Sequence, residues 1–177
     1  YSRMELFSGY VYLNESYNNS TLQQLALQYQ QSTFGTSLLR SGHMVPFGAS
    51  FVNETTIFRD YGPVAGRALK VGWNGSPAIG DNWIARNTVD VDVRHYTRIG
   101  ANGVFALRFK GLKSWGRNPD YIYYGGNSEM RGYQYLEFIG NKGFFANAEL
   151  RFPIIDAMLT PIGVLGGLRG VFFANLG

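Results

Sequence analysis

The chain has 177 residues, enough for one domain with a real core, and a net charge of +4 with Lys and Arg scattered rather than striped, which argues against a nucleic-acid surface. It is 45% hydrophobic and 16% aromatic at a mean hydropathy of -0.13, so its apolar residues are dispersed, and no stretch approaches the ~18 apolar residues of a spanning helix. Cysteine is absent, which removes disulfides and zinc–thiolate sites.

In chain order the dominant period is two. Met4 to Asn14 and Phe47 to Phe58 read as strands with blurred faces. Between them Leu22 to Gln31, rich in Gln, suits a short helix inside a loop region. Gly66 to Asn74 sets Leu69, Val71 and Trp73 against Lys70 and Asn74. Thr88 to Ile99 sets Val89, Val91, Val93 and Ile99 against Thr88, Asp90, Asp92, Arg94, Tyr96 and Arg98, with His95 and Thr97 interrupting the apolar face. Val104 to Leu112 sets Phe105, Leu107 and Phe109 against Arg108 and Lys110. Gly143 to Pro153 places Phe144, Ala146, Ala148, Leu150 and Phe152 on one face, and Phe145, Asn147, Glu149 and Arg151 on the other. Leu168 to Leu176 repeats the pattern, with Arg169, Val171, Phe173 and Asn175 on the second face. This is strand alternation, about seven strands in all, with almost no helix.

The connections alternate in length. Asp60 to Ala65 and Gly100 to Asn102 are short turns; the links 15–44, 75–84 and 114–142 are long. Outer-membrane barrels are built that way. Ile154 to Gly167 falls on the short side and is too long for it. Two classes fit the alternation: a soluble barrel or sandwich with a solvated polar face, and a membrane barrel with a lipid-facing apolar one. Aromatic-rich apolar faces of bilayer-crossing length, and loops rich in Tyr, Trp, Gly and Asn, favour the membrane.

Enzymatic chemistry finds little purchase. His43 and His95 are the sole histidines, and Asp92, three residues before His95, points to the opposite face of its strand. Asp90 and Asp92 share a face with Arg94 and Arg98, which suits a neutralised ladder better than an acid–base pair. No ligand set for a metal and no cofactor motif is present. GGNSEMRGYQY, Gly125 to Tyr135, is Gly-rich, yet a phosphate loop needs a Gly-Lys-Ser/Thr ending and a following helix, and here a strand follows. The chain reads as non-enzymatic, with no catalytic residue.

GGNSEMRGY, LEFIG, FFANAELRFPI and RGVFFANLG, in that order over about the last third of the chain, resemble the C-terminal barrel of the bacterial surface-antigen superfamily, the BamA type. Arg131, Gly132 and Tyr133 match its Arg-Gly-aromatic loop, and Glu149 its inward glutamate. Asn175-Leu176-Gly177 stands where the family usually has Asp-x-Gly. GPVAGRALKVGW and LRFPIIDAMLTPIGVLGG resemble, more weakly, the subgroup with an N-terminal TolB-like propeller.

The resemblance implies an all-β, antiparallel transmembrane β-barrel of about sixteen strands, of which residues 1–177 would form an incomplete part of one barrel domain. It implies a bacterial outer-membrane location and a part in outer-membrane protein assembly, insertion or translocation. Implied partners are the lipid bilayer, client outer-membrane proteins, and periplasmic or lipoprotein subunits, with no nucleic acid and no cofactor. A passive pore or structural surface barrel is the alternative, and a soluble β-barrel binding protein a third reading. If the loop folds into the lumen, Gly125 and Gly126 shape it, and Arg131 reaches Glu149 and Asn175 on the next two strands. A guanidinium suits a carboxylate plus an amide oxygen. Gly132 would then let the backbone approach the wall, and Tyr133 would pack on lumen aromatics.

Overall fold

The structure, a computed structural model, describes residues 1–35, 37, 40–127 and 129–177. Thr36, Leu38 and Leu39 of the expected 15–44 link, and Ser128 of the Gly125–Tyr135 stretch, lie outside the described residues.

Seven strands run through one antiparallel sheet in the order β1 (Ser2–Ser8), β4 (Phe47–Glu54), β6 (Gly62–Ser76), β7 (Arg86–Ile99), β8 (Gly103–Trp115), β11 (Lys142–Thr160) and β12 (Gly163–Leu176), with β5 (Ile57–Arg59) added against the start of β6. Two small pairs stand apart: β2 (Val11–Asn14) with β3 (Ser41–Met44), and β9 (Ile122–Tyr124) with β10 (Phe138–Gly140). The fold is all-β and antiparallel. The sheet is open, with β1 and β12 as its edges; among the described residues no strand joins them.

Three expected elements differ, each for a local reason. Met4 to Asn14 is two strands, because the chain leaves the sheet at Gly9, whose N–H donates to the Pro46 carbonyl at 2.9 Å. Phe47 to Phe58 is also two: the partner strand bends at Gly66, where φ is 95° and an added Cβ would lie 2.2 Å from the Thr55 carbonyl oxygen. Only glycine takes that bend without strain. Ile154 to Gly167 is no long link at all. β11 runs on to Thr160 and β12 starts at Gly163, leaving a two-residue turn. A register shift between Pro153 and Ile155 changes which side chains share a face, so period two breaks there although the strand continues.

The helix is longer than expected: α1 spans Ser20–Phe34. Asn19 caps it by accepting from the backbone N–H groups of Thr21 at 2.8 Å and Leu22 at 3.3 Å. Gly35 ends it in the left-handed conformation at φ 69°. Among the described residues no helix is long and apolar enough to cross a membrane.

One face of the sheet is apolar and exposed, and the other is polar and covered. Leu107, Phe109 and Phe144, on the apolar face, are 41%, 43% and 45% exposed. Aromatic rings meet along that face, Phe109 with Phe144 and Phe152 with Phe172 at centroid distances of 6.1 and 5.2 Å. The opposite face holds Thr88, Asp92, Arg108, Ser114, Asn147 and Glu149, and it is the covered one: Thr88 is 2% exposed and Phe145 0%. The links that follow β6 and β8 supply the cover. Ile84 and Ala85 of the first and Ile122 and Met130 of the second are buried.

Candidate functional site

β-Pairing puts Asp92 of β7 opposite Lys110 of β8 and Lys70 of β6, and Arg94 opposite Arg108. Asp92 accepts from Arg94 Nε at 3.0 Å and Nη2 at 2.9 Å, and from Arg108 Nη2 at 3.0 Å. Asp90 meets Lys70 Nζ at 3.4 Å. On the same covered face, β11 contributes Glu149 and Arg151, whose Nε donates to Glu149 Oε2 at 2.8 Å.

Residues 116–141 fold against this wall. Tyr124 stacks on both Phe138 and Phe145, at 5.1 and 5.7 Å, which joins the β9–β10 pair to β11. The tip is shaped by glycine. Gly125 has φ 139°, an added Cβ would lie 2.5 Å from the Gln134 carbonyl oxygen, and its N–H donates to Glu129 Oε2 at 3.0 Å. Gly126, at φ 85°, bridges to Met130. Arg131 then reaches the wall: Nη2 donates to Glu149 Oε1 at 2.5 Å, and the guanidinium carbon sits 4.5 Å from the centre of the Phe173 ring. Nε donates back to the Asn127 carbonyl at 3.2 Å.

Asn175 is close, but not as a second acceptor for the guanidinium. With its amide oxygen turned to the Arg131 backbone N–H, it accepts there at 2.9 Å, and its nitrogen donates to the Ala174 carbonyl at 3.2 Å. In that orientation its nitrogen also lies 2.8 Å from Asn147 Nδ2. The register explains this, because Asn147 and Asn175 are directly opposed whereas Glu149 is opposed to Phe173. Asn147 Nδ2 in turn donates to the Glu129 carbonyl.

Gly132 also differs from expectation. An added Cβ would meet nothing within 4 Å, so the position needs glycine for its φ of 95° and not for close approach. Tyr133 packs edge-on against Phe138 of β10 at 4.9 Å, and is half exposed.

Phe145, Asn147, Arg151 and Phe173 belong to this site and were not singled out from sequence. The available signal was an anomaly: Phe145 is an aromatic on an otherwise polar face, and Phe173 stands between Val171 and Asn175 on the face that also holds Arg169.

A second cluster lies among the long links. Arg40 donates to the Asn118 carbonyl at 2.7 Å and to the Pro119 carbonyl, and Arg86 pairs with Asp120 at 3.3 Å. Together with Glu15, Tyr121 and Tyr123 they line a cavity of about 360 Å³. Burial holds the Tyr123 hydroxyl above the usual phenol range. Nearby, His43 Nδ1 lies 2.7 Å from the Tyr10 hydroxyl, with its ring against Tyr12 and Trp83. His95 stands on the other face of β7, 3.0 Å from the Thr97 hydroxyl. Among the described residues no group of three His, Asp or Glu side chains is placed to hold a metal ion.

Chemically, this arrangement fastens a loop to a charged β-wall. Comparison with protein-family models, with characterised proteins and with solved structures returned no match.

Proposed function

We propose that the chain forms part of the wall of a bacterial outer-membrane β-barrel of the surface-antigen type, and that the barrel serves the insertion or translocation of outer-membrane proteins. The contrast between the faces carries the reading. An exposed aromatic and aliphatic face opposite a covered, ionic one is costly in water and suits lipid outside and a polar lumen inside. Three further features support it: long and tight connections alternate along the sheet, the free edges call for more strands to close a barrel, and the tethered Arg131 loop matches the resemblance noted above.

A passive pore is the second reading, favoured by the arginine-lined inner wall. The decisive experiment has two stages. Membrane fractionation of the native protein comes first; a soluble monomer without detergent sinks both readings. Reconstitution comes second: faster folding of a client barrel supports assembly, and ion conductance without it supports the pore.

A further inference from the structure

We propose that the inner wall carries a binding site for a small oxyanion, above all a phosphate group, formed by Arg94, Arg108 and Arg151. Four guanidiniums, these three and Arg131, converge on only two carboxylates, Asp92 and Glu149. The cluster therefore holds a surplus of two positive charges.

Both carboxylates are saturated. Each oxygen of Asp92 faces two arginines, and the oxygens of Glu149 are divided between Arg131 and Arg151. Arg94, Arg108 and Arg151 all spend their Nε and Nη2 edge on these carboxylates. Arg94 also bonds the Tyr96 side chain, whereas among the described residues Arg108 and Arg151 make no hydrogen bond to protein through Nη1. So the forks of Arg108 and Arg151 are held in place by one edge, and donors remain on the other.

Arg94, Arg108 and Arg151 all border one recess of about 140 Å³, which Tyr96 and Asn147 also line. The strand register adds an independent sign. Arg94 and Arg108 are directly opposed on neighbouring strands, a like-charge pairing that sheets ordinarily avoid. One carboxylate between them compensates half of that charge; an oxyanion supplies the rest. Planar guanidinium forks match tetrahedral phosphate oxygens in geometry as well as charge. Chloride offers the charge without the geometry.

The occupant is a dissolved phosphate or phosphorylated solute reaching the inner face. The proposal takes from the barrel reading only that this face meets water. Protein that is soluble without detergent would sink the barrel and leave the titration below meaningful.

The test is calorimetric titration of the full-length protein, in a phosphate-free detergent at constant ionic strength, with sodium phosphate. Saturable binding is expected, competed by sulfate and not by chloride. Arg94→Gln and Arg108→Gln should each weaken it by about tenfold or more. Arg94→Lys, which keeps the charge and loses the fork, should fall between, and Lys142→Gln should bind as the parent does. Folded state is checked by heat-modifiable migration; if the Gln variants fail to fold, Arg94→Lys decides. No saturable binding, equal competition by chloride, or undiminished affinity in the folded arginine variants would overturn the site and leave the cluster as a structural ladder.

Discussion

Glu149 stands between two arginines of different origin: Arg131 Nη2, from the loop, is 2.5 Å from Oε1, and Arg151 Nη2, from the same strand, is 2.7 Å from Oε2. The carboxylate is thus the shared member of the tether, and the two ends are not equivalent. Arg131→Ala leaves Glu149 with Arg151. Glu149→Ala leaves two guanidiniums side by side without the carboxylate they share. Breaking a buried pair costs ~3–5 kcal/mol. Arg131 and Glu149 are 28% and 13% exposed, so a lower figure of about 1–3 kcal/mol applies. Glu149→Ala should be the worse of the two by denaturant unfolding in detergent. Their double-mutant cycle should show coupling above about 0.5 kcal/mol. Additive effects would mean that the contact does not hold the loop.

Phe145 supplies the apolar half of the same attachment. Tyr124 stacks on it, and Arg108 and Lys110 lie over its ring at 5.3 and 5.9 Å. Phe145→Ala should cost about 3–5 kcal/mol, as deletion of a fully buried ring does. It should also loosen the loop, read as faster proteolysis between residues 116 and 141. Protection equal to the parent's would show that the loop is held elsewhere.

Lipid and water make opposite demands on the apolar face, which gives a direct test of the membrane reading. Leu107→Arg places a charge on that face near the middle of β8. In a bilayer it should destabilise by about 2–4 kcal/mol, falling toward zero for the same change near a strand end. On a water-exposed face the effect would stay within about 0.5 kcal/mol. Folding titrations into lipid vesicles measure the difference; a flat response with depth would count against lipid contact.

How much of this was legible follows from where period two holds. Thr88 to Ile99, interrupted only at His95 and Thr97, and Val104 to Leu112 alternate, and their two faces could be drawn from the sequence alone. The bulge at Pro153–Ile155 flips the phase, so seven residues of β11 looked like a loop. The bend at Gly66 depends on a carbonyl from a neighbouring strand, and nothing local announces it. Alternation also says which residues share a face without saying which face is covered. That took the links after β6 and β8, whose packing is set by contacts such as Tyr124 on Phe145, distant in sequence. The Arg131–Glu149 contact was reachable by resemblance. The place of Asn175 was not, because strand register decides it.

Glycines at the loop tip allow a comparison in which only the local geometry changes. Gly125→Ala must find room for a Cβ against the Gln134 carbonyl oxygen, at a φ that alanine disfavours. Gly132→Ala meets the φ penalty alone. The second should cost about 1 kcal/mol, and the first clearly more, since backbone has to move. Equal losses, measured as unfolding midpoints at unchanged m-value, would contradict the described tip.

Asn175 offers the last test, because the surface-antigen resemblance would put Asp at its position. Here the side-chain oxygen accepts from the Arg131 backbone N–H, and the nitrogen, beside Asn147 Nδ2, donates to the Ala174 carbonyl. Asn175→Asp keeps the acceptor for Arg131, gives Asn147 Nδ2 a new one, and adds a negative charge to a cluster with surplus arginine. It loses only the donor to the Ala174 carbonyl. A charge-assisted bond is roughly twice as strong as a neutral one, so the variant should hold stability or gain about 0.5–1 kcal/mol near neutral pH. The gain requires the ionised carboxylate, so it should be present above the carboxylate's titration and fade as acid protonates it. Asn175→Leu removes the acceptor and orphans the Arg131 N–H, and it should cost about 1–3 kcal/mol. Unfolding at pH 8 and at pH 4 separates these outcomes. A destabilising Asp at pH 8 would show that this network tolerates an amide and not a second carboxylate, and that Glu149 alone sets the charge the arginines can use.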